Sequence, residues 1–156
     1  IGDLKNIVPF IINKVKNDKY QFKIEKGDIV DVLFTLVPTN VHHLIDTPSI
    51  IDKEKIESFY NLGYSIKGIS TQAKKTDVRE LLKIMSTIME IVKEFIKRNP
   101  NSSIMIFEEN KKEELGLILG QKSLLYKSII SQNLPSGYLS SPVEFNKQEG
   151  LIIAPK

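Results

Sequence analysis

Cysteine is absent from the 156 residues, which excludes disulfides, thiolate metal sites and cysteine nucleophiles. Arginine occurs only at Arg79 and Arg98, and the other basic side chains are lysine or the two histidines. The bidentate forks by which arginine grips phosphate are therefore scarce, which argues against phosphate recognition. Apolar runs approaching the roughly 20 residues of a membrane-spanning helix are missing as well. Eight glycines and seven prolines are too few for a collagen-like or low-complexity chain. Neither sign of charge dominates: 22 basic against 19 acidic side chains leave +3, a mild excess that does not by itself imply nucleic acid. No charged segment leading to an apolar core and a small-residue cleavage site follows Ile1, so no signal peptide is expected.

What is present is an ordinary globular balance, 41% hydrophobic and 26% charged. The length fits one α/β domain spanning residues 1–156, suited to the cytoplasm. Leu4, Ile7, Val8, Ile11, Ile12 and Val15 are spaced for a first helix, which Pro9 would start. After the turn signal Asn17-Asp18, Tyr20, Phe22 and Ile24 alternate with polar residues, the period of a half-buried strand. Lys26-Gly27-Asp28 closes a hairpin onto Ile29–Val37, whose near-continuous apolar run reads as a central strand. An irregular stretch from Pro38 to Pro48 follows. Ser49 or Asp52 would cap a short helix reaching Leu62 and stopping at Gly63, with Tyr64, Ile66 and Ile69 as the next strand.

Thr76-Asp77 opens the strongest element. Val78, Leu81, Leu82, Met85, Ile88, Met89, Val92, Phe95 and Ile96 recur at helical steps as far as Arg98, and Ile84 and Ile91 widen the stripe. Asp77 with Glu80 resembles a capping box, and Lys97-Arg98 suits the negative end of the helix dipole. Ser103–Phe107 reads as a buried strand and Leu115–Asn133 as a second helix, weakened by Gly116 and Gly120. Val143–Phe145 and Leu151–Ile153 form a terminal hairpin around Asn146–Gly150. The fold class expected is a mixed sheet with helices on both faces. Its core should include Phe34, Leu36, Ile66, Leu82, Met85, Met89, Val92, Ile104, Ile106, Leu125 and Ile129.

Few residues carry obvious chemistry. His42 and His43 are adjacent, so on an extended segment they point apart and do not ligate one metal; no metal site is expected. Glu108-Glu109 and Glu113-Glu114 read as a solvated loop around Lys111-Lys112. The hydroxyls of Ser86-Thr87 should bond carbonyls of the preceding helical turn, and the Tyr126 ring should lie in the core. Lys53, Lys55, Lys67, Lys74, Lys75, Lys111 and Lys112 are scattered among acids, which disfavours specific nucleic-acid readout.

The order of elements from Tyr20 to Ala154 resembles the acyl-CoA N-acyltransferase (GNAT) fold. In that family a central strand leads into a helix whose N-terminus holds the CoA pyrophosphate, and a later helix supplies an acid, often tyrosine. The resemblance places Tyr64–Ser70 as the strand, Gln72–Asp77 as the loop, Asp77–Arg98 as the helix and Leu125-Tyr126-Lys127 at the Leu-Tyr-acidic position. It implies that Gln72, Lys74, Lys75 and the Thr76 backbone hold acetyl-CoA. Tyr126 would protonate the leaving thiolate, and Glu108 or His43 would accept the amine proton. The family's loop glycines are replaced here by Lys75 and Asp77, and Lys127 stands in place of an acid. A carboxylate at the helix N-terminus repels a pyrophosphate.

A second resemblance is to small uncharacterised proteins of tailed phages. It rests on Ile69-Ser70-Thr71, Ile84-Met85-Ser86-Thr87-Ile88, Ile104–Phe107 and Leu124-Leu125-Tyr126. The leading expectation is a non-enzymatic accessory, structural or interaction protein without a cofactor, acting on a protein partner or as a homo-oligomer in host cytoplasm or virion. No membrane association is expected. The alternative is a divergent CoA-dependent N-acyltransferase.

Overall fold

The alternating run at Tyr20 and Phe22 does form a strand, and among the described residues it joins an eight-stranded sheet, second from one edge. The computed structural model describes residues 7–25, 27–67, 78–107 and 127–156. Its strands are β1 (Ile12–Lys16), β2 (Lys19–Lys23), β3 (Ile29–Leu36), β4 (Ile45–Asp46), β5 (Ser58–Lys67), β6 (Ser102–Phe107), β7 (Tyr138–Phe145) and β8 (Gln148–Pro155). Their spatial order is β1-β2-β3-β5-β6-β8-β7-β4. All pairs are antiparallel except β5 with β6, which run parallel from Ser58 opposite Ser102 to Leu62 opposite Ile106. The parallel pair requires a crossover, and helix α1 (Val78–Arg98) lies between those two strands in the chain. The fold is α/β with a mixed sheet and few helices.

Register explains the layers. Val30, Val32, Phe34, Leu62, Ile104 and Ile153 share the face that packs on Met85, Ile88, Met89, Val92 and Phe95 of α1. Residues 127–132 are helical, and Ile129 and Ile130 join this same layer. Met105, Ile152 and Phe59 point to the other face, where Val37, Ile45, Ile51 and Ile56 cover them. That cover is the 38–57 segment, with 3-10 turns at Thr39–Leu44 and Lys53–Lys55. A Lys53 ammonium donating to the carbonyls of His42 and Ile45 holds it together. Among the described residues, α-helix thus lies on one face, and irregular chain with the two 3-10 turns on the other.

Several expectations are corrected. The segment expected as a first helix forms β1 at Ile12–Lys16, because Asn17-Asp18 folds it back so that Ile12 pairs with Phe22 and Lys14 with Tyr20. The short helix expected to reach Leu62 shrinks to the Lys53–Lys55 turn, with Asp52 accepting from the Glu54 amide. From Ser58 the chain is strand. Phe59 and Leu62 are needed on opposite faces, which a period of two supplies and one helical face does not. Leu36, expected in the core, is 56% exposed at the end of β3. Leu82 and Ile106 are partly buried, packed at the edge of the core. The terminal hairpin is longer than expected, turning at Asn146-Lys147 with φ of 50° and 66°, the left-handed pair of a tight two-residue turn.

Other expectations hold. Phe34, Met85, Met89, Val92, Ile104 and Ile129 are buried. The Thr87 hydroxyl donates 2.7 Å to the Lys83 carbonyl, the back-bond expected for a hydroxyl inside a helix, and also accepts from the Phe10 amide. At its C-terminus α1 stops where the Asn99 side chain donates to the Phe95 carbonyl and Asn101 turns left-handed at φ 64°.

Candidate functional site

Where the β1–β2 turn meets the C-terminal end of α1, the structure opens a cleft of about 510 Å³. Lys16, Asn17 and Asp18 form one wall, Phe95, Arg98 and Asn99 the other, and Phe34, Leu36 and Tyr60 the sheet side. The aromatic floor is tightly assembled. Phe34 and Phe95 stack with centroids 3.9 Å apart, and Tyr60 meets Phe95 edge-on at 4.9 Å. Arg98 lies over the Tyr20 and Phe95 rings at 5.8 and 5.7 Å, within cation–π range.

Behind this wall sits a charged network built by residues distant in the chain. Tyr20, on the buried face of β2, donates its hydroxyl to Glu94 and accepts from Arg98 Nη2. Arg98 Nε donates 2.9 Å to Glu94 Oε1, and Nη2 also donates 2.8 Å to the Asn17 carbonyl. Lys14 lies 4.0 Å from the same carboxylate. Burial, reinforced by the ionised Glu94 accepting its hydroxyl, pushes Tyr20 up to about 12. Burial alone would raise Glu94, but hydrogen bonds from Tyr20 and Arg98 outweigh it and hold the carboxyl below its ordinary value. Burial likewise opposes the charge on Arg98, and its bonds to Tyr20 and Glu94 raise it instead. At neutral pH the three are neutral phenol, carboxylate and guanidinium. Such an arrangement clamps the β1–β2 hairpin to α1 and holds the guanidinium rigid.

The residues singled out from sequence lie elsewhere. His43 is exposed on the Thr39–Leu44 turn, while His42 bonds the Val37 carbonyl at 3.1 Å and sets its ring edge on Phe59. Both belong to the segment covering the face opposite α1, away from the cleft. Gln72, Lys74, Lys75, Thr76, Asp77, Glu108, Glu109, Glu113, Glu114, Leu125 and Tyr126 lie outside the described residues. Lys127 is exposed at the start of the described 127–132 helix. Among the described residues no group of three metal-ligating side chains gathers, and no helix is long and apolar enough to cross a membrane. From sequence alone, Arg98 reads only as a dipole partner and Tyr20 only as a strand residue. The one signal available was the scarcity of arginine, which made each guanidinium worth tracing. No protein-family model, curated protein or solved structure matches this chain.

Proposed function

We propose that this chain is a non-enzymatic accessory or interaction protein of the phage type, acting by binding a partner rather than by turning over a substrate. One observation carries the reading. In the network behind the cleft wall the ionisable groups are displaced away from neutrality, Tyr20 to about 12 with Glu94 lowered and Arg98 raised. They are suited to holding charge and shape, whereas a general acid or base works best near the operating pH. Calorimetry with acetyl-CoA and size-exclusion with light scattering test it together. The parent should give no saturable heat with acetyl-CoA, and should run above the 17.8 kDa of one chain or shift when a candidate partner is added. Saturable acetyl-CoA binding by the parent, or a strict monomer that recruits nothing from host or virion lysate, overturns it.

A divergent CoA-dependent N-acyltransferase is the second reading, favoured by a different observation. The sheet's parallel pair, β5 with β6, is joined through α1, the strand–helix–strand unit that the acyltransferase resemblance places around the cofactor. Gln72, Lys74, Lys75 and Thr76 would hold the pyrophosphate, with Tyr126 as acid and Glu108 or His43 as base. Under this reading acetyl-CoA binds the parent. If it binds only an Asp77→Gly variant, the fold has lost its cofactor, which supports the first reading.

A further inference from the structure

The cleft beside α1 lies at the opposite end of the helix from the loop that would hold CoA. Twenty-one residues separate the two ends, about 30 Å at 1.5 Å per residue. Its size is within the roughly 300–1,000 Å³ common for small-ligand sites. Leu36 is 56% exposed at the end of an interior strand, an apolar surface facing open cleft. Arg98 has Nε and Nη2 committed to Glu94, Asn17 and Tyr20, while Nη1 has no acceptor among the described residues. Because those bonds fix the guanidinium, the remaining N–H pair is already oriented and costs little to order on binding. Lys16 adds a second cation to the lining, against a single acid, Asp18.

We infer that this cleft binds a monocarboxylate with an apolar body. The carboxylate sits between Arg98 Nη1 and the Lys16 ammonium, and the apolar part covers Leu36 and the Tyr60 ring. Two cations, one of them already paired with Glu94, flanked by Asp18 and by the carbonyl end of α1 suit one negative charge better than two, so inorganic phosphate is the weaker ligand. The same chemistry is presented by a free organic acid and by the C-terminus of a peptide ending in an apolar residue. This inference deepens the binding reading and rests on it. Acetyl-CoA calorimetry tests that reading separately, so each can fail alone.

The experiment is an amide NMR titration of the intact chain with 3-phenylpropanoate, its uncharged amide, inorganic phosphate, and a Leu-terminated peptide in free-acid and amidated forms. Saturable shifts should cluster at Lys16, Leu36, Arg98 and Asn99, with an acid at least about tenfold tighter than its amide and than phosphate. Tighter binding of the small acid identifies a free metabolite-like ligand, and tighter binding of the peptide acid identifies a chain terminus; either supports the inference. Lys16→Glu and Leu36→Asn, both at exposed positions, should each weaken the acid at least about threefold with the remaining spectrum unchanged. Equal affinity of acid and amide, tighter phosphate, shifts outside the cleft, or no saturation by either acid overturns it.

Discussion

Two glycines in the same sheet should respond oppositely to the same substitution. Gly150 lies in β8, opposite Phe107 of β6 and Val143 of β7. A Cβ added there would stand 2.6 Å from the Ile106 carbonyl oxygen and would also collide with the Phe107 ring. The ring can turn, but the carbonyl is backbone of a paired strand, so β6 and β8 must separate locally. Overpacking of this kind costs about 1–3 kcal/mol, and backbone involvement places Gly150→Ala at the upper end, about 3 kcal/mol. Gly63, in β5 opposite Leu33, is the control, since a Cβ there meets nothing within 4 Å and the backbone has no left-handed strain. Gly63→Ala should stabilise by about 0.5 kcal/mol, mainly by restricting the unfolded chain. Equilibrium urea unfolding followed by far-UV circular dichroism measures both, tryptophan being absent. Gly150→Ala within about 0.5 kcal/mol of the parent refutes the β6–β8 register, and Gly63→Ala costing more than about 1 kcal/mol refutes the open space beside β5.

Thr87→Val should cost about 1–3 kcal/mol, because it strands the Phe10 amide that donates 2.9 Å to the buried hydroxyl. Thr87→Ser should recover most of the loss, and hydrogen exchange at Phe10 should rise only in the valine variant. Tyr20→Phe should narrow its deficit at high pH. The folded phenol is raised to about 12, so its contribution is complete below its ordinary value near 10 and fades as pH climbs through about 12. Unfolding free energies of parent and variant across that window check the sign, and a constant gap refutes the linkage.

Much of the fold was readable because periodicity records how many faces a segment must bury. The stripe through Met85, Met89 and Val92 reads as helix, and Tyr20–Phe22 as strand, since 3.6 and 2 are different repeats. Short apolar runs were less informative. Ile7, Ile11, Ile12 and Val15 satisfy a helical spacing, yet Ile12 pairs with Phe22 while Ile11 is left exposed. Phe59 through Leu62 reads as helix yet forms strand for a related reason: its two faces are claimed by different layers, the 38–57 segment and α1.

By itself, the sequence determined the local repeats, the turn at Asn17-Asp18, the α1 stripe with its basic end, and the exclusion of cysteine chemistry. Tertiary structure alone decided the strand order, the parallel pairing of β5 with β6, and which apolar residues stay uncovered. It also decided the cleft. Tyr20 meets Glu94 and Arg98 across 74 and 78 positions of chain, and Leu36 is bare because no described segment crosses the end of β3. The physical reason is one of range. Side-chain periodicity is fixed by backbone geometry within a few residues, whereas pairing and cover are chosen by which distant surfaces, once desolvated together, lower the free energy most.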